Sequence, residues 1–270
     1  MMRVLACAFA VLFPFLSQAQ CTELTASGNA EYPPYLWRPM VAPERLDGAV
    51  ALLMRDIAQL VGVNIRMVYA GPWGRTQEEV AAGNVDLIAG AFYTQARTLR
   101  MDYLQPAFQL TRSVIWVRKE ATFTFQTLPD LVGKRGVTVI NNSFGQTFDD
   151  YARTHLQIVQ VGSLDQALRM LSNGRVDYLV YEEEPGRAYI ERAAIGNLQM
   201  LEPQVSSEAL YLTLSLKSPC NTAEFKARLE QALRTVTADQ RMEAYLRQAS
   251  EAWRKDSHTA AFSQRPTSGQ

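Results

Sequence analysis

Histidine and cysteine are scarce here, with two of the first and three of the second in 270 residues. No His-Glu-x-x-His run and no paired Cys-x-x-Cys spacing occurs, so neither a zinc centre nor any other metal or cofactor is expected. Charge of one sign is also lacking: 27 Lys plus Arg balance 27 Asp plus Glu. That leaves no basic surplus to neutralise nucleic-acid phosphates or anionic lipid headgroups. No apolar run reaches the ~20 residues of a membrane-spanning helix. Gly-x-Ser-x-Gly and phosphate-loop motifs are missing, and His155 and His258 fall at a helix end and in the C-terminal tail. What is present, 47% hydrophobic and 20% charged residues, makes a globular chain with one large core or two modest ones.

The first residues read as a secretory leader over 1–19. Arg3 is its only charge, Val4 to Leu16 its apolar run, and Ser17-Gln18-Ala19 its cleavage site, with the cut near Ala19. Pro14 argues against a buried helix, and Gln20 before Cys21 argues against lipidation. Cleavage removes Cys7 and leaves Cys21 and Cys220 in an oxidising compartment, where they are expected to form a disulfide; the alternative is two free buried thiols.

Strands then alternate with helices, the α/β pattern. Cys21–Gly28 reads as a strand and 29–44 as a Pro-rich and aromatic loop. Val50, Leu53, Met54, Ile57 and Val61 mark one face of a helix over Asp47–Val61 that Gly62 ends. A strand at Ile65 to Tyr69, a helix ending at Gly83 and an apolar strand over Val85–Phe92 follow. A second series has strands Gly136–Ile140, Ile158–Val161 and Val176–Tyr181, with helices from Ser143 to Arg153 and from Leu164 to Leu171. Ser163 and Gln166 suit a capping box. Gly83-Asn84-Val85-Asp86-Leu87 and Gly174-Arg175-Val176-Asp177-Tyr178 match 91 residues apart, which suggests two lobes of one design. Lobe 1 is expected over 20–112 plus 214–255 and lobe 2 over 113–213, with crossing strands near 113–118 and 209–216. Two amphipathic helices close lobe 1, carrying Phe225 to Val236 and Met242 to Trp253. A disordered tail is expected over 256–270.

Several motifs together resemble the bacterial extracellular solute-binding proteins of family 3, which include polar amino-acid receptors of ABC importers. They are Glu31-Tyr32-Pro33-Pro34-Tyr35, Asp56 with Gly62, Trp73, Thr94-Gln95-Ala96-Arg97 with Asp102-Tyr103 and Pro106, Leu128 to Lys134, the two Gly-x-Val-Asp runs, and Glu182. The resemblance implies a periplasmic binding protein type II fold, in which two α/β lobes on two hinge strands close over a small polar solute. It also implies a periplasmic monomer that delivers the solute to an ABC importer permease, or presents itself to a receptor ectodomain. Arg97 matches the arginine that grips a ligand carboxylate through two parallel hydrogen bonds, and Glu182 the acidic contact to a ligand ammonium. Ser143 is placed to add its hydroxyl and helix N–H groups. Tyr32 and Trp73 match aromatic walls, with Tyr35, Trp37 and Phe144 nearby; packing inside lobe 1 is the alternative for Trp73.

Two positions depart from the pattern. Small hydroxyl residues often stand seven and five places before the arginine, where this chain has Gly90, whose carbonyl can still serve, and Phe92, whose side chain accepts no hydrogen bond. Arg75 either faces the cleft and suits a second acidic group on the ligand, or is an exposed first-turn residue. A cleft enzyme resembling the cyclohexadienyl dehydratases, with Glu182 or Glu184 as acid, is the competing reading.

Overall fold

The structure, a computed structural model, describes residues 21–263, with side chains as far as Asp256; the leader expected over 1–19 lies outside them. Its first half opens with β1 (Glu23–Ser27) and the paired short strands β2 (Glu31–Tyr32) and β3 (Leu36–Trp37). α1 (Ala49–Val61) begins two residues after the expected Asp47, because Gly48 before it takes φ 132°. Gly62, left-handed at φ 72°, ends it as the sequence predicts. Then come β4 (Asn64–Met67), α2 (Trp73–Ala82), β5 (Leu87–Ala91), α3 (Gln95–Thr98) and β6 (Met101–Tyr103). β1 lies between β4 and β5, parallel to both.

The second half contains β7 (Gln109–Arg118), β8 (Arg135–Val139), α4 (Gln146–His155), β9 (Gln157–Val161), α5 (Leu164–Ser172), β10 (Tyr178–Glu182) and α6 (Glu183–Arg192). β11 (Leu198–Ser215), α7 (Ala223–Ala238) and α8 (Arg241–Ser263) return the chain to the first half. The strand order is β4-β1-β5-β11-β7-β10-β8-β9, with β6 also on β11. β11 pairs antiparallel with β7 through Leu210 and with β5 from Tyr211 onward, so these two long strands carry the chain from one half to the other.

Burial follows the same division. Leu53, Met54 and Ile57 of α1 pack with Leu229 and Leu233 of α7 in the first half. Val114, Val137, Leu168 and Tyr181 centre the second. A smaller cluster of Trp73, Val80, Ile88 and Met101 lies under α2. The Cys21–Cys220 disulfide forms, with 5.4 Å between its Cα atoms, and ties the start of β1 to the approach of α7.

The five-residue likeness has a structural meaning. Gly83 and Gly174 both take positive φ, 85° and 71°. The carboxylates three residues on then accept the backbone N–H of the neighbouring parallel strand: Thr25 N to Asp86 and Arg135 N to Asp177, each at 2.8 Å. Each lobe therefore clips its strand entrance with the same aspartate.

Four differences from the sequence reading have local causes. Gly145 (φ 93°) starts α4 at Gln146, so Ser143 lies in the preceding loop rather than at the helix start. β11 spans eighteen residues instead of 209–216, because a register shift between Leu201 and Ser206 absorbs Pro203 where a strand end would be read. Ser163 accepts from Gln166 N, but the Gln166 side chain returns to Gly162 N, one residue short of a reciprocal box. Finally, 256–263, expected as disordered tail, continue α8 to Ser263. Nothing in Ser257 to Phe262 breaks a helix, and Ala260-Ala261 favours one.

Candidate functional site

Where the two halves meet, a cavity is lined by Asn29, Tyr32, Trp73, Gly90, Phe92 and Arg97 of the first half and by Leu210 of the crossing strand β11, which packs in the first-half core, with Asn142, Ser143 and Glu182 opposite. Its volume is about 20 Å³, room for roughly one water. An open groove of about 800 Å³ adjoins it, sharing Arg97, Asn142 and Ser143 as walls. A solute larger than water therefore enters only if the halves part or the lining shifts.

Arg97 sits in the one-turn helix α3, started by Thr94, whose hydroxyl accepts from Arg97 N at 3.3 Å. Its guanidinium is buried and donates to the Phe92 carbonyl (2.9 Å), the Gln77 side chain (3.1 Å) and, across the interface, the Asn141 carbonyl (3.4 Å). The Trp73 ring lies beside it, 5.4 Å from centroid to guanidinium carbon. No carboxylate among the described residues is within salt-bridge reach of it. Burial presses its pKa down, while Tyr103, Asp149 and Glu182 oppose that.

Glu182, the last residue of β10, is 4% exposed. Burial pushes its carboxyl up to about 8, against the smaller opposing effects of its own backbone, Tyr32 and Arg97. The Tyr32 hydroxyl is near enough to favour the ionised form, yet neither that oxygen nor Glu182 Oε2 completes a hydrogen bond. Asn142 Nδ2 is likewise buried and unpaired. Three unpartnered polar groups thus belong to residues lining one cavity, each of them a costly arrangement that a polar solute would relieve.

The other expected site residues divide. Gly90 lines the cavity at φ 109°, a backbone state closed to other residues, although a Cβ would meet only Phe108 and Leu210 at ordinary contact. Phe92 contributes its carbonyl, which accepts from both Arg97 and Tyr103 Oη, the latter at 2.7 Å. Ser143 lines the cavity, but its hydroxyl donates to Asp149. Phe144 lies in the second core, edge-on to Phe148, and reaches only the outer groove. Arg75 is not on the cavity: its side chain is exposed and pairs with Glu79. Asn29, Asn142 and Leu210 complete the lining without having been expected; loop asparagines and a lone leucine carry no periodic signal that could have found them.

Two α/β lobes joined by paired long strands around a buried polar cavity define a two-lobed solute-binding protein. The chain belongs to the bacterial extracellular solute-binding proteins, family 3, which it matches over residues 24–251. No curated protein shows significant sequence similarity to it. Among solved structures it is similar to a histidine kinase sensor domain with similarity to periplasmic binding proteins. That match has 21% identity and a TM-score of 0.72, and covers 86% of this chain and 95% of the other. An amino-acid ABC transporter substrate-binding protein from Streptococcus pneumoniae, bound to L-arginine, matches at 17% identity and TM-score 0.71, covering 86% and 95%. An ancestral arginine-binding protein matches at 19% identity and TM-score 0.69, covering 86% and 97%. These likenesses show the periplasmic binding protein fold.

Proposed function

We propose that this protein captures a small solute carrying a carboxylate and an ammonium, an amino acid or a related zwitterion, between its lobes. One observation carries the reading: Arg97 from one lobe and Glu182 from the other are buried at the same cavity, and neither has an ion partner. A guanidinium holds a carboxylate through two parallel bonds, and a buried carboxylate needs a cation to remain ionised. A zwitterion satisfies both at once and touches both lobes, so it selects the closed form. Tyr32, Trp73, Phe92 and Leu210 supply apolar walls, with Gly90, Asn142 and Ser143 as further contacts. The structures of relatives bound to arginine and to glutamine support an amino acid as first choice.

The leader expected over 1–19 supports work in the periplasm, and the family supports a monomer that hands its solute to an ABC importer permease. The likeness to a kinase sensor domain supports docking on a receptor ectodomain as the other destination. A cleft enzyme is favoured by one feature alone, the carboxyl of Glu182 at about 8, which suits a general acid near neutral pH.

The test is the melting temperature of protein refolded to strip carried solute, measured against L-arginine, L-glutamine, the other amino acids, amines and dicarboxylates. A ligand at 100 times its Kd adds about 2.7 kcal/mol. A rise with one amino-acid class, lost in Arg97→Ala, is the expected result; no rise across the panel would refute amino-acid capture and make a dehydratase assay the next measurement.

A further inference from the structure

Glu31 belongs to the first lobe but bonds the second. Its Oε2 accepts the backbone N–H of Leu164 at 3.0 Å, 133 positions along the chain. Leu164 is the first residue of α5, a nine-residue helix capped by Ser163, whose hydroxyl is turned to Gln166 N. The carboxylate from the opposite lobe therefore serves a helix N–H that the helix cannot satisfy itself, at the end where negative charge is favoured. Around it, Glu31 N donates to Asn29 Oδ1 at 3.0 Å. The Asn29 amide donates to Tyr181 Oη, which in turn donates to the Glu31 carbonyl at 3.4 Å. Asn29 and Tyr32, on either side, both line the cavity.

We propose that Glu31 is a latch between the lobes: by capping α5 it holds the closed form together even without solute, and so sets how tightly the cavity retains one. Parting the lobes breaks this bond and returns both groups to water. The latch rests on this contact alone; its effect on retention rests on the capture reading above, since apparent affinity scales with the fraction in the binding-competent form.

Protonation gives the latch a direction. The charged and titratable groups facing Glu31 are Asp165 on α5, Tyr181 on β10 and Tyr189 on α6. Burial raises its pKa, the Leu164 N–H lowers it and Asp165 raises it, for a net rise. Parting the lobes returns this carboxyl to water and toward its ordinary pKa, so closing takes up a proton, and acid favours closure while alkali opposes it.

Small-angle scattering of solute-stripped protein at pH 5 and pH 8 tests this without any ligand. Glu31→Ala is expected to lower the closed-to-open ratio about tenfold, the effect of losing one hydrogen bond. Glu31→Gln keeps an acceptor without the charge. It should stay closed at both, and its closed fraction should exceed that of wild type by more at pH 8 than at pH 5. Glu31→Ala scattering that superimposes on wild type overturns the latch, as does Glu31→Gln opening as far as Glu31→Ala at pH 5. If Glu31→Ala loses its circular-dichroism signal, the pH difference between Glu31→Gln and wild type decides. A scattering change with no ligand binding in the thermal panel would uphold the latch and refute only the capture.

Discussion

At Glu182 the sign of the pH effect follows from burial. Its carboxyl stands at about 8 in the folded protein against an ordinary 4.5. Between those values the folded state binds more protons than the unfolded, so solute-free stability is greatest in acid and falls as pH rises through that window. Glu182→Gln is expected to melt several degrees above wild type at pH 8 and to match it near pH 4, while losing affinity for ammonium-bearing solutes. Thermal melts across pH check both. Arg97 and Glu182 were expected at the cleft from the family resemblance alone, and both line the cavity. Ser143 was legible by position only, since the Gly145 start of α4 and the bond to Asp149 are properties of the folded loop. Arg75 was ambiguous by nature: an arginine two residues into a helix faces whichever side the helix axis dictates, and here Glu79 one turn on holds it at the surface.

Among the elements, the aspartate clip shows how a short repeat becomes a constraint. Asp86 accepts from Thr25 N and its hydroxyl and from Ser218 Oγ, binding β1 to β5 and to the segment after β11. Asp86→Ala leaves those donors unpaired, and a loss of about 1–3 kcal/mol in urea-unfolding stability is expected. The helices were readable because α1 and α7 place apolar residues at helical spacing and glycine stops α1. β11 was half-read, since Glu202-Pro203-Gln204 resembles a strand end and only pairing with β7 shows the chain passing through it. The length of α8 was missed because the sequence carries no apolar stripe at helical spacing beyond Trp253. That tryptophan is itself informative: its Nε1 donates to the Ala188 carbonyl of α6 at 3.4 Å, and its ring meets Trp37 and Tyr189. The last helix of the first lobe thus braces the second.

Across the whole molecule, closure joins these parts. Arg97 and Gln77 reach Asn141, Glu31 reaches Leu164, and Trp253 reaches α6, so the halves are bonded at several separate places. The disulfide acts on the fold as a whole, closing a chain segment of 199 residues. Cys220→Ser should lower unfolding stability by at most about 5 kcal/mol on the chain-entropy model, read from denaturant melts with and without reductant. The two-lobed fold was legible from the paired series of strands and helices and the order of its motifs. The size of the cavity and the contacts that close it were not, because both depend on how the lobes meet.

The most direct test of zwitterion capture is a calorimetric titration of solute-stripped protein with the amino acid selected by the thermal panel. It is repeated with that compound's deaminated and decarboxylated forms, on wild type, Arg97→Ala and Glu182→Ala. If the two lobes hold opposite ends, each missing ligand group weakens wild-type binding by a hundredfold or more, on the order of 3 kcal/mol. Each variant then becomes indifferent to the loss of the end it would have held. Wild-type affinity unchanged by removing either end, or Arg97→Ala still discriminating the carboxylate, would contradict it.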